Sequence, residues 1–213
     1  MCSYCESQIS YLPTSHCSIC CSPIDQDGCK ECESNNYLFK QLICVGSYDG
    51  ILKNLIYRFK YDKQYGLAFP LAELLFKKCF PKINKKNFDF IIPIPLHLEK
   101  EKVRGYNQTE LISIVLSNLV NLPMLKVLER IKFTSPQYFL NKQQRLQNLK
   151  DAFVIKPNYS KIIKEKNLIL IDDIFTTGST INEATRVLLN NGVNEIVALT
   201  LAKTLKHKKS LLL

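Results

Sequence analysis

The chain has no apolar run approaching the length needed to cross a bilayer, which excludes a membrane-spanning helix. Near its start there is no apolar stretch ending in a cleavage site, so no secretory leader is expected. It has neither the Gly-Lys-Ser/Thr of a Walker loop nor a G-x-G-x-x-G fingerprint, which removes the two commonest nucleotide loops. Acid is in short supply: 29 Lys and Arg stand against 19 Asp and Glu, a formal charge of +10. Such an excess points to an anionic partner, whether nucleic acid, a phosphate-rich substrate or an acidic membrane surface. Cysteine is scarce beyond residue 32. Only Cys44 and Cys79 lie there, alone in apolar surroundings, and both read as core. With 213 residues, 46% hydrophobic and 23% charged, the chain is globular and long enough for one sizeable core plus a small appendage.

What is present begins with the other seven of the nine cysteines, all within the first 32 residues. They form three C-x-x-C pairs, Cys2/Cys5, Cys17/Cys20 and Cys29/Cys32, with Cys21 extra. Two such knuckles set close together supply four thiolates for tetrahedral Zn²⁺. The best quartet is Cys17, Cys20, Cys29 and Cys32, because only a short turn-rich stretch, Ser22 to Gly28, separates its halves. A disulfide framework is the rival reading, disfavoured without a secretory leader. No thioredoxin-like pattern surrounds the pairs to support a redox motif. The expected organisation is a zinc ribbon over residues 1–38, in which the metal supplies most of the folding energy, followed by a larger domain over 39–213.

The larger domain is organised around Leu168 to Thr180, LILIDDIFTTGST. Four apolar residues bounded by turn residues predict a strand buried on both faces of a parallel sheet. Asp172 and Asp173 follow at its C-terminal end, where open α/β sheets place their ligands. Thr176, Thr177, Gly178, Ser179 and Thr180 then make a small-residue turn into a helix, Ile181 to Asn191, closed by Gly192. A helix N-terminus behind such a turn offers free N–H groups, hydroxyls and the positive end of the dipole to an anion. The unit thus provides acceptors for sugar hydroxyls and, a few residues on, donors for a phosphate. A ribose 5-phosphate carries both. The bland alternative is an ordinary strand-turn-helix with two solvated aspartates at its tip.

Around this centre, Ile43 to Tyr48 predicts a strand and Asp49 to Lys60 a helix, with Ile51, Leu52, Leu55, Ile56 and Phe59 on one stripe. Pro70 suits the first turn of the next helix. Phe88 to Ile92 predicts another strand, running into Pro93-Ile94-Pro95-Leu96-His97, a charged loop, and Arg104-Gly105-Tyr106-Asn107-Gln108. His97 is either a phosphate donor or a surface histidine. Asn107 and Glu110 suggest a capping box opening a further helix. The segment from Lys126 to Lys150 is basic and polar, and reads either as a mobile lid over a polyanion or as a solvated helix. Glu195 to Ala202 predicts a last buried strand, and a basic tail follows. Alternating strands and helices predict an α/β fold: a mainly parallel sheet with helices on both faces.

The central stretch resembles the phosphoribosyl pyrophosphate (PRPP) motif of type I phosphoribosyltransferases. Pro-Ile-Pro-Leu-His at 93–97 with Arg-Gly-Tyr-Asn-Gln at 104–108 resembles the signature of the ComF family of phosphoribosyltransferase-like proteins. That family also carries a Cys-rich zinc ribbon ahead of the domain. A third matching stretch includes Arg130, Thr134, Gln137, Leu140, Arg145, Asn148 and Phe153. Two departures stand out. Many members have four Cys pairs where this chain has three, and Cys21 replaces the glycine usual after the knuckle.

The resemblance implies PRPP bound with Mg²⁺: Asp172 and Asp173 on the ribose, Thr176 to Thr180 around the 5-phosphate, and Pro95, His97 and Arg104 on the pyrophosphate side. It implies a cytoplasmic role in natural transformation, with contacts to DNA-uptake machinery. An active phosphoribosyltransferase of nucleotide metabolism is the alternative. No nucleobase pocket can be read, so the acceptor and transfer itself stay open. Bases interleaved with aromatics predict weak single-stranded DNA binding, with Tyr61, Tyr65 and Tyr138 as stacking candidates and Phe59 as core.

Overall fold

The structure, a computed structural model, describes residues 1–132 and 149–205. The central part of the expected lid, with Thr134, Gln137, Tyr138, Leu140, Arg145 and Asn148, lies outside the described residues, as does the tail from Lys206. Two short helices, α1 (Ser3–Ser7) and α2 (Lys30–Glu33), precede strand β1 (Gln41–Ser47). Then come α3 (Gly50–Tyr61), α4 (Ala68–Cys79), β2 (Phe90–Pro93), α5 (Leu98–Arg104), α6 (Gln108–Val120) and β3 (Leu128–Arg130). The chain ends with β4 (Phe153–Ile155), α7 (Ser160–Ile163), β5 (Asn167–Phe175), α8 (Ser179–Asn190) and β6 (Glu195–Lys203).

Four strands form one parallel sheet in the order β1-β6-β5-β2. Successive side chains of a strand point to opposite faces, so each apolar run feeds two cores. Ile43, Val45, Ile91, Ile169, Ile171, Val197 and Leu199 pack on one side with Leu52, Ile56 and Phe59 of α3 and the apolar faces of α4 and α6. Leu42, Cys44, Ile92, Leu168, Leu170, Ile196 and Ala198 pack on the other, under Ile181, Ala184, Val187 and Leu188 of α8. Helices therefore cover both faces, as the continuous apolar runs predict. Each fully buried Leu or Ile contributes about 1.5–3 kcal/mol, which is why these runs decide the topology.

Both outer edges of the sheet are covered. Along β1, Ser47 N–H donates to Ser10 O (2.8 Å) and Leu42 N–H to Ile19 O (2.7 Å). Gly46 permits this approach, since a Cβ there would lie 2.4 Å from Ser10 O. Along β2, Ile91 exchanges backbone bonds with Pro123 and Leu125.

Several boundaries differ from the sequence reading. β5 runs through the acid pair to Phe175, because Asp172 and Ile174 keep their register with Thr200 and Ala202 of β6. The charged loop after His97 is α5. It is held by the His97 cap, whose Nδ1 accepts from Glu99 N–H (3.2 Å), and is released by Gly105 at φ +87°. Asn107 caps α6 as expected, its side chain accepting from Thr109 N–H (3.1 Å). The Glu110 carboxylate, in the first turn of α6, is paired with Lys126. β3 and β4 form an antiparallel pair that the sequence reading did not include.

Sheet order places the site. β5 is flanked by β2 on one side and β6 on the other. α6, which follows β2 and α5, and α8, which follows β5, pack on opposite faces, so a crevice opens beyond the C-terminal ends of these two strands.

Candidate functional site

That crevice is a cleft of about 300 Å³. Its floor is Asp172 and Asp173, its near wall the Thr176–Ile181 turn, and its far wall Pro95, Leu96, Lys100 and Arg104 of the β2 exit and α5. Lys60, Tyr61, Gln108 and Arg130 also line it. Of the ten residues expected around a ligand, the structure brings Asp172, Asp173, Thr176, Gly178, Ser179, Thr180, Pro95 and Arg104 to this cleft. Thr177 and His97 do not line it. Thr177 borders a separate hollow beside Tyr37, and the Nδ1 of His97 serves the α5 cap.

The two aspartates have different settings. Asp173 is 5% exposed. Its Oδ1 meets Lys60 Nζ at 2.8 Å and its Oδ2 accepts from Gln108 Nε2 at 2.6 Å. Gln108 is itself bonded through Oε1 to an Arg104 Nη1 donor. A buried carboxylate needs such partners, and here Lys60 of α3 and Gln108 of α6 provide them, with Arg104 of α5 holding Gln108 in place. Asp172 is half-buried, and its Oδ1 accepts the Asp173 N–H at 2.8 Å. Desolvation and the neighbouring Asp173 charge push its carboxyl up to about 7, against the pull of Lys60 and Arg130. Opposite, burial with Arg130 and Arg104 nearby brings Lys100 down to about 8. The cleft thus sets cations on one wall beside an acid on its floor, and burial disfavours the charged forms of both Lys100 and Asp172. A ligand with polyanionic and polyhydroxyl parts complements both.

The turn into α8 has a backbone that only glycine can supply. Gly178 is the N-cap of α8, at φ +78°. A Cβ there would lie 2.5 Å from Phe175 and 2.6 Å from Tyr37, so both backbone and space demand glycine. Thr177 Oγ1 and Ser179 Oγ are 2.8 Å apart.

Lys60 and Gln108 are the cleft residues the sequence reading missed as site residues. Lys60 carried one signal, as a base at the end of an otherwise amphipathic helix; Gln108 lay inside the quoted 104–108 signature. Lys100 and Arg130 join them once the hairpin pairs β3 against β4 and Arg130 bridges to His97.

The cysteine quartet assembles separately. Cys17, Cys20, Cys29 and Cys32 hold their Sγ atoms within 4.8 Å of one another, with Cys17–Cys32 at 3.6 Å and Cys20–Cys29 at 3.5 Å. Zn–S bonds of about 2.3 Å in a tetrahedron require sulfurs about 3.8 Å apart, so this donor set fits Zn²⁺. Ile19 N–H donates to Cys17 Sγ at 3.4 Å. Cys2 caps α1 and Cys5 lies on it, apart from the quartet, with Cys5 N–H donating to Cys2 Sγ at 3.5 Å. Cys21 has φ +58°, the left-handed geometry that glycine usually supplies after a knuckle. Its Sγ is buried and donates to Leu42 O at 2.9 Å, which fastens the ribbon to β1.

A parallel sheet that ends in an acid pair, a Thr/Gly/Ser turn and a helix N-terminus defines a phosphoribosyltransferase-like domain. Residues 111–211 match the family model described as "Phosphoribosyl transferase domain". The chain is 34% identical over 209 residues to Competence protein F of Haemophilus influenzae, covering 95% of this chain and 90% of that protein. It is 29% identical over 201 residues to Competence protein ComFC of Bacillus subtilis, covering 90% and 79%. Against DNA utilization protein YhgH of Escherichia coli the identity is 28% over 181 residues, covering 83% and 78%. The chain belongs to the ComF family of phosphoribosyltransferase-like proteins. Among the described residues, no helix is long and apolar enough to cross a membrane.

Proposed function

We propose that this chain binds PRPP with Mg²⁺ in the cleft and acts in DNA uptake during natural transformation. The observation that carries the reading is the facing of Asp172 and the Thr176–Thr180 turn across one cleft rimmed by Lys100, Arg104 and Arg130. In this reading the ribose hydroxyls meet Asp172, with Asp173 behind it. The 5-phosphate lies against the turn and the N-terminus of α8. The pyrophosphate faces Arg104, Lys100 and the Pro93–Pro95 exit. His97 supports it indirectly, by capping the helix that carries Lys100 and Arg104. Mg²⁺ takes carboxylate and phosphate oxygens, and the accessible Asp172 carboxylate suits it. The metal neutralises charge on the bound phosphates. The role in DNA uptake is supported by the names of the relatives, competence proteins and DNA utilization proteins.

The quartet Cys17, Cys20, Cys29 and Cys32 holds a structural Zn²⁺ in this reading, within a ribbon of residues 1–38 joined to a domain of 39–213. Tyr61 at the cleft and the exposed Tyr57 and Tyr65, with Arg104 5.4 Å over the Tyr61 ring, suit sequence-tolerant contact with single-stranded DNA in the cytoplasm. Phe59 takes no part, being 1% exposed in the core.

The test is a calorimetric titration with PRPP and Mg²⁺ against wild type and Asp172→Asn/Asp173→Asn. The double variant should lose binding while keeping its fold; wild-type affinity would sink the assignment. Pyrophosphate release, with and without candidate bases, separates a binding protein from an active transferase. The nucleic-acid reading is tested on oligonucleotides at two salt concentrations. Affinity should fall steeply with salt through counterion release, and indifference to salt removes the reading.

A further inference from the structure

Tyr37, between α2 and β1, is wedged between the ribbon and the turn that opens α8. Its hydroxyl lies 3.3 Å from Thr177 O and 3.5 Å from Glu31 Oε1, its one hydrogen shared between these two acceptors. Glu31 lies on α2, between Cys29 and Cys32 of the quartet. The Tyr37 ring stacks on Phe39 at 5.0 Å and meets Phe175, the last residue of β5, edge-on at 5.7 Å. It also fills the space a side chain on Gly178 would need, 2.6 Å from that Cβ position. Asn182, in the first turns of α8, adds two further ties. Its Oδ1 accepts Leu38 N–H at 2.7 Å and its Nδ2 donates to Asn36 O at 3.2 Å.

We propose that Tyr37 is a positioning residue through which the four-cysteine site fixes the Thr176–Thr180 turn, so that metal occupancy and ligand binding are linked. The last step rests on the PRPP reading above. A trans peptide holds its C=O and the following N–H on opposite sides. Holding Thr177 O toward Tyr37 therefore turns the Gly178 N–H away from the ribbon. The donor set of the turn is fixed before any ligand arrives, which lowers the cost of binding. The ribbon side of this contact depends on the metal, because α2 is only four residues long and buries none of them. Losing the metal frees Glu31 and Tyr37, and the Thr177 carbonyl loses its donor. Linkage then requires the reverse: a ligand that holds the turn must also tighten the metal site by the same factor.

The experiment uses the full chain in four states: zinc-loaded wild type, chelated wild type, zinc-loaded Tyr37→Phe and zinc-loaded Tyr37→Ala. Hydrogen exchange of residues 175–180 is measured without ligand, with α6 amides as the internal reference. Chelation should speed exchange in the turn more than in α6. Tyr37→Ala should do the same with zinc retained, and Tyr37→Phe should give a smaller change. In the second arm, Tyr37→Phe weakens PRPP by about fivefold, the loss of one hydrogen bond. Saturating PRPP should slow zinc transfer to a chromogenic chelator in wild type, and less so in Tyr37→Ala. Wild-type exchange in the turn of both zinc-loaded variants overturns the proposal. Should chelation unfold α6 as well, the zinc-loaded variants decide alone. If the exchange arm succeeds while wild type ignores PRPP, the ligand reading fails and the coupling of ribbon to turn stands.

Discussion

Asp172→Asn should make the protein more stable while removing its ligand. The Asp172 carboxyl ionises at an ordinary 3.8 when unfolded and at about 7 in the cleft, raised by desolvation and Asp173. Between those values the folded chain holds a proton the unfolded chain has lost. Unfolding free energy therefore falls as pH rises through this window. The group's stabilising contribution is complete below about pH 4 and gone above about pH 7. At about 1.4 kcal/mol per pH unit, the displacement amounts to about 4 kcal/mol; screening at the open cleft leaves about 2–4 kcal/mol. Asparagine removes the charge but keeps a carbonyl to accept the Asp173 N–H. At pH 8 the variant should melt roughly 5–10 °C above wild type, and at pH 5 the gap should close substantially. The assay is thermal and urea unfolding of both proteins at pH 5 and pH 8, zinc-loaded and free of PRPP. A variant that melts with or below wild type at pH 8, or a gap that does not narrow at pH 5, refutes the argument.

Lys60→Met should act in the opposite direction. It leaves Asp173 buried with Gln108 as its remaining side-chain partner among those described, at a cost of about 3–5 kcal/mol in urea unfolding at pH 7. Unchanged stability would mean that the pair carries no weight. Cys32→Ser should release the metal and loosen the first ~40 residues, which have little core to fall back on, whereas Cys2→Ser should leave metal content intact. Equal loss of zinc from both variants would show that the quartet is wrongly chosen.

The sheet was legible because buried parallel strands have an unmistakable composition: LILI and EIVALTLA can only be satisfied by apolar contact on both sides. The Thr176–Thr180 turn was legible for a related reason, since a run of small residues ahead of an amphipathic helix declares a turn by its residue types. Lys60 was not legible. A base outside an apolar helix stripe is ordinarily solvated, and only the packing of α3 across the sheet brings it to Asp173. α5 was missed because LEKEKVR has no apolar stripe; its ends, His97 and Gly105, hold it. Tyr37 was hidden for want of context, as three apolar residues in a row, Tyr37 to Phe39, are too few to carry a period. β3 and β4 are three residues each, too short to show a period, and the chain must travel from Arg130 to Phe153 before they pair.

The strip of ribbon lying along β1 has a consequence for solubility. An uncovered strand edge is a template for another chain, and β1 is seven residues long with six of them buried. Ser10, Tyr11 and Ile19 occupy its open backbone groups. The ribbon is thus a stopper on a sheet otherwise ready to recruit a strand from a neighbour. An oxidant or chelator that strips the quartet exposes that edge, and the expected end state is self-association through β1 into aggregates. A chain cut at residue 39 would carry the same liability from synthesis onward.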